Sequence, residues 1–172
     1  MRIALSNVLL VAAAPATAET CHTVDAQFGK VTACVSSVLP GRGGNTYGPE
    51  HLFGLTDGTA WCEGVPGPGI GETITLRLER RQAVRTLSLT NGYVKNRETF
   101  RANGRIKQAV VETDRGSKTT FFLKDTAEPQ TLRIPKATVG WVRLTILDVF
   151  AGGKHADTCV SGFSVDLEEF GN

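Results

Sequence analysis

After residue 72, apolar side chains fall on every second position in one short segment after another, and that alternation commits the chain to sheet. TITLRLE (73–79) puts Ile74, Leu76 and Leu78 in one phase, and TLSLTN (86–91) does the same with Leu87 and Leu89. KTTFFLKD (118–125) and TLRIP (131–135) continue the series. WVRLTILDVF (141–150) aligns Val142, Leu144 and Ile146, and CVSGFSVDL (159–167) aligns Phe163, Val165 and Leu167. RIKQAVVET (105–113) is extended too, but neither of its phases is consistently apolar. Beyond the N-terminal segment no run of about twelve residues keeps a helical period. PEHLF (49–53) offers a single helical turn. Short strands separated by Gly, Pro, Asn and Asp predict an all-β, antiparallel sandwich or jelly roll.

The first residues read MRIALSNVLLVAAAPATAET. Arg2, an apolar stretch and Ala16-Thr17-Ala18 have the form of a secretory signal peptide over 1–18. No later stretch reaches the ~18 consecutive apolar residues of a membrane span. Removal of the leader leaves about 150 residues, one domain on length, and such a chain buries roughly two thirds of its surface without needing disulfides. The formal net charge of the whole chain is only +2, with no strong basic cluster, which argues against nucleic acid as a partner. The expected location is the periplasm or the extracellular space.

Four cysteines, Cys21, Cys34, Cys62 and Cys159, are an even number suited to an oxidising compartment. No CxxC is present, and His22, His51 and His155 occupy no ligand pattern, so a zinc site is not expected. Spacing alone permits three disulfide pairings. Running successive strands alternately away from and towards one end gathers four loops there: 61–72, 91–104, 125–130 and 148–158. Cys62 and Cys159 then lie at the same end, each beside the start of a strand running away from it. Their pairing is favoured, leaving Cys21 to Cys34.

Loops on a rigid sandwich are where binding concentrates. These loops carry Trp61, Glu63, Tyr93, Lys95, Asn96, Asn103, Arg105, Asp148, Phe150, Lys154, His155 and Asp157. An aromatic ring can stack on the flat face of a sugar, while carboxamides, carboxylates and Arg bracket its hydroxyls. Each residue also has a structural reading. Trp61 can be core packing, Phe150 an edge shield, Asp148 and Asp157 loop caps, and Arg105 the partner of Glu63 or Asp148. No G-x-S-x-G, H-E-x-x-H or phosphate-cradling glycine loop is present. The remaining catalytic option is a sugar hydrolase using Glu63 with Asp148 or Asp157 at a separation of about 5–10 Å.

TAWCEGVPGPGIGE, NGY-K, N-x-RIK, LTILDVF and DTCVSGF, in that order and spacing, resemble the discoidin-like (coagulation factor 5/8 type C) domain of bacterial NAD glycohydrolase toxins. That family is the NADase-type glycan-binding or translocation domain. The resemblance covers 31 to 167, so 19–30 stands as an N-terminal extension and 31–172 as the domain. It implies a galactose-binding-like jelly roll and a non-catalytic module that binds glycans through its end loops. A docking module for an envelope protein is the alternative. By position, the matching residues are Trp61, Glu63, Asn91, Tyr93, Lys95, Asn103, Arg105, Asp148 and Asp157. The chain departs from the family at Gly54-Leu55 and Ser161-Gly162, where acids help hold structural calcium in related sandwiches. A hard cation needs several oxygen ligands, so calcium is not expected, although Asp57 could substitute. No NAD glycohydrolase domain follows, so the binding module alone is expected.

Overall fold

The computed structural model describes residues 18–54 and 58–167. The leader, apart from Ala18, and Asp57 lie outside the described residues. The elements are β1 (Thr20–Ala26), β2 (Gly29–Val35), a 3-10 turn (Pro49–Leu52), β3 (Trp61–Cys62), β4 (Thr73–Asn91), α1 (Arg97–Ala102), β5 (Arg105–Thr113), β6 (Lys118–Phe122), β7 (Gln130–Phe150) and β8 (Cys159–Leu167). No helix among the described residues is long and apolar enough to cross a membrane.

Two pairs of expected strands turn out to be single strands. TITLRLE and TLSLTN form one element of 19 residues, and TLRIP and WVRLTILDVF form one of 21. The two long strands pair antiparallel from Thr73↔Thr145 to Leu89↔Gln130, with register shifts between Arg77 and Gln82 and between Val84 and Thr86. A straight strand of 19 residues would span about 60 Å at roughly 3.3 Å per residue. Yet both ends of β4 adjoin Trp61. Asn91 pairs with Val160, the partner of Trp61. Thr73 accepts from the Ser36 amide, and the next residue, Ser37, accepts from the Trp61 indole. The strand therefore folds back on itself at its bulges, and β7 bends with it.

The bend makes two layers from one ladder. The first runs β1-β2-β4-β7-β5-β6 through the first part of β4 and the last part of β7. The second runs β3-β8-β4-β7 through the other halves. Ile74, Leu76, Leu87, Leu89, Val142, Leu144, Ile146 and Phe163 meet between them, all essentially without exposure. Each such side chain contributes about 1.5–3 kcal/mol by leaving water. The fold is the antiparallel jelly-roll sandwich expected from the alternation. Residues 20–26 pair with 29–35, so the stretch read as an extension forms part of a hairpin on the sheet edge.

Both disulfides join directly opposed residues, Cys21 to Cys34 and Cys62 to Cys159. Their loops differ greatly, at 13 and 97 residues of separation. Cross-linking a chain removes freedom from the unfolded state, and more so over a longer loop. Replacing Cys62 and Cys159 by Ala is expected to cost about 4–5 kcal/mol, against about 3 kcal/mol for the Cys21–Cys34 pair. Denaturant unfolding of the two double variants checks the ranking, and equal losses would contradict it.

Candidate functional site

The loop end is held together by buried polar groups that bond main chain. Glu63 follows β3 and has no exposure. One carboxylate oxygen accepts from the Thr158 amide at 3.0 Å and the other from the Val65 amide at 2.9 Å. The Glu63 amide in turn donates to the Thr158 carbonyl, and the Thr158 hydroxyl donates to the Pro68 carbonyl. This clamp fastens the 61–72 loop to the start of β8. Gly69 sits at φ +70°, and a Cβ there would lie 2.4 Å from the Glu63 Cγ, so the turn admits no side chain.

Two more clamps complete the end. Asn91, also without exposure, donates to the Ile106 carbonyl and accepts from the Ile106 amide, replacing a missing rung between β4 and β5. Arg105 forks onto Asp125 at 2.9 and 2.8 Å, and its third nitrogen reaches the carbonyls of Asn103 and Ala151. Its guanidinium lies over the rings of Phe100 and Phe150. One side chain thereby joins three loops. The partner of Arg105 is Asp125, not the Glu63 or Asp148 considered from sequence. Asp148 instead pairs with Lys107 at 2.7 Å on the surface. The Lys107 ammonium and the Val149 amide hold its carboxyl below the usual carboxylate value.

Several of the ten sequence-derived candidates are therefore internal. Trp61 is wholly buried and donates its indole N–H to Ser37. Glu63, Asn91 and Arg105 act as the clamps just described, and Phe150 packs beneath Arg105. Asp157 contributes its carbonyl to the Gly104 amide. Tyr93, Lys95 and Asn103 meet in a cleft of about 330 Å³.

That cleft is assembled from three separated segments. Asn45 and Tyr47 come from the loop after β2, and Lys154 and His155 from the loop before β8. The middle segment carries Tyr93 through Asn103. Residues 91–104, read as a loop, contain the six-residue helix α1, started by a reciprocal capping box between Asn96 and Thr99. Lys95, Glu98, Thr99 and Ala102 recur at helical spacing and line the same hollow. Tyr47 and Tyr93 pack edge to face at 6.3 Å, and Tyr93 covers the Cys62–Cys159 disulfide. Burial and the neighbouring Tyr47 raise the Tyr93 phenol pKa. Asn45, Tyr47, Glu98 and Thr99 were not singled out from sequence. N-x-x-T at the start of NRETFRA was the available signal for α1, and an aromatic within GGNTYG was the available signal for Tyr47.

A larger hollow of about 580 Å³ lies beside Phe122, but all of its lining comes from one segment between 121 and 132. The group of potential metal-binding residues found among the described residues is Glu19 with Cys21 and Cys34, whose sulfurs are joined in a disulfide.

Residues 26–166 match the NAD glycohydrolase translocation F5/8 type C domain. The chain belongs to that family. No curated protein sequence matches this F5/8 type C domain. Its fold is similar to a family 32 carbohydrate-binding module from Clostridium perfringens, solved with GalNAc-β-1,3-galactose. The TM-score is 0.60 at 16% identity, over 78% of this chain and 94% of that one. A second such module, from C. perfringens NanJ in complex with galactose, gives 0.57 at 13% identity over 78% and 92%. The mycobacterial arabinofuranosyltransferase AftD gives 0.67 at 18% identity. There the match covers 92% of this chain but only 12% of the transferase.

Glu63 in this F5/8 type C domain makes a pH-dependent contribution. Burial raises its pKa above 4.5, outweighing the two amides that lower it. The folded state thus holds the proton more tightly than the unfolded chain does. The resulting stability is fully present below pH 4.5 and lost as pH rises through the folded-state value. Wild type should lose more stability than Glu63→Gln between about pH 4 and about pH 7 in denaturant unfolding. Parallel losses would assign the titration elsewhere.

Proposed function

We propose that this domain is an exported, non-catalytic glycan-binding module, and that its ligand enters the cleft between Tyr47, Tyr93 and α1. The observation that carries this is the cleft's composition: the half-buried Tyr47 ring, backed by the buried Tyr93, beside the exposed carboxamide of Asn45 on a backbone that Asn103 braces through the Thr99 carbonyl. Such sites pair an apolar surface with a few placed polar groups. The likeness in fold to modules solved with galactose and with GalNAc-β-1,3-galactose supports it. Two disulfides favour an oxidising compartment.

The hydrolase alternative finds no support in Glu63, whose two oxygens face backbone amides and not solvent. Docking to an envelope protein keeps one supporting observation. Phe122, on the edge strand β6, is 78% exposed, and an exposed large aromatic on an unpaired edge invites a partner.

A glycan array on residues 19–172, secreted to form its disulfides, tests the proposal. Saturable binding to a related set of glycans is expected. Tyr47→Ala should weaken it at least about tenfold, the equivalent of 1.4 kcal/mol, while Phe122→Ser should leave it unchanged. A blank array with folded protein would reject the glycan reading. Sensitivity to Phe122→Ser alone would move the site to the β6 edge.

Calcium is not part of this proposal. Gly162 brings no carboxylate, and the Ser161 hydroxyl already bridges the Gly92 carbonyl and the Val94 amide. These residues do not fit a calcium ion. The melting temperature should be the same with calcium and with chelator, and a calcium-dependent rise would contradict this.

A further inference from the structure

The cleft has a charge imbalance that a neutral sugar would not use. Lys95, Lys154 and His155 line it against a single carboxylate, Glu98. Among the described residues, neither lysine ammonium has an ion-pair or hydrogen-bond partner. Elsewhere on the surface Lys107 and Lys118 hold carboxylates at 2.7 and 2.6 Å. The cleft lysines differ from these in holding no carboxylate and in lining one hollow together.

Their backbone is fixed. Three successive amides, those of Gly153, Lys154 and His155, donate to the carbonyls of Arg101 and Ala102 at the end of α1. Those carbonyls would otherwise lack partners, because a helix end leaves its last ones unbonded. The approach is so close that a Cβ on Gly152 would lie 2.5 Å from the Ala102 carbonyl oxygen. Lys95 immediately precedes the capping residue Asn96 at the other end of the same helix. The two ammonium groups thus stand on one braced unit. A concave surface bearing unbalanced charge of one sign concentrates its field in the hollow.

We infer that the ligand is an anionic sugar, one carrying a carboxylate or a sulfate that the Lys95 and Lys154 ammonium groups receive. This rests on the glycan reading above and narrows its chemical class. Tyr47, backed edge to face by the buried Tyr93, takes the apolar face of the ring, and the lysines take its oxyanion through charge-assisted hydrogen bonds.

The test measures equilibrium binding of the disulfide-bonded protein to matched oligosaccharides: a neutral hexose chain, its uronic-acid counterpart and its sulfated counterpart. An acidic form should bind at least tenfold more tightly than the neutral one, and which acidic form does so distinguishes carboxylate from sulfate. Lys95→Gln with Lys154→Gln should abolish that preference, whereas Lys95→Arg with Lys154→Arg should keep it. Glu98→Gln, which removes the cleft's acid, should tighten acidic binding severalfold, a gain that damage to folding does not produce. Raising salt should weaken acidic binding and spare neutral binding. Equal affinity for neutral and acidic chains would overturn the inference and leave the glycan reading standing. An acidic preference that survives the double Gln variant would overturn its assignment to these lysines. Binding to none of the three would overturn both.

Discussion

Two long strands that stay paired through a common bend determine this architecture. Because β4 and β7 hold one antiparallel register from Thr73↔Thr145 to Leu89↔Gln130, neither can bend without the other. Their joint fold-back supplies the centre of both layers at once. It also returns both ends of β4 to the neighbourhood of Trp61. The loops that continue from these strand ends therefore meet at one end of the sandwich. The cleft is a consequence of that return, made before any of its lining residues is specified.

Meeting loops bring polar backbone together where water is scarce, and buried polar groups must find partners. Glu63, Asn91 and Arg105 answer that need with side chains that bond amides and carbonyls of other segments. Polar residues in the interior here act as replacements for missing ladder bonds. Tyr93 then covers the Cys62–Cys159 disulfide and backs the more exposed Tyr47 edge to face.

The strand content and both disulfides were legible because period-two patterning and strand direction are local properties. The ambiguous phase of 105–113 has a physical cause. Register shifts on either side of Gln108 move the buried positions from Ile106 to Ala109 and Val111, so no single alternation exists to be read. The merging of four expected strands into two was hidden because a bulged corner and a turn use the same residues. The four end loops did converge, and through the bend expected as a reversal. At the site, sequence could gather Trp61, Glu63, Asn91 and Arg105 at one end but not tell inward from outward. A carboxylate that bonds amides and one that bonds a sugar carry the same letter. Asn45 and Tyr47 escaped because their place in the cleft depends on tertiary packing across the disulfide.

The capping box at one end of α1 and the docked amides of 153–155 at the other have a consequence for how such a surface diversifies. The groups that hold the loops are buried and bond largely to backbone, whereas Asn45, Lys95, Glu98, Lys154 and His155 are exposed and bear little of the scaffold. Substitutions at these five positions change the lining of the cleft without unfastening the loops around it. The molecule thus separates the residues that preserve its shape from those that line its hollow, so that the lining can drift while the fold is inherited intact.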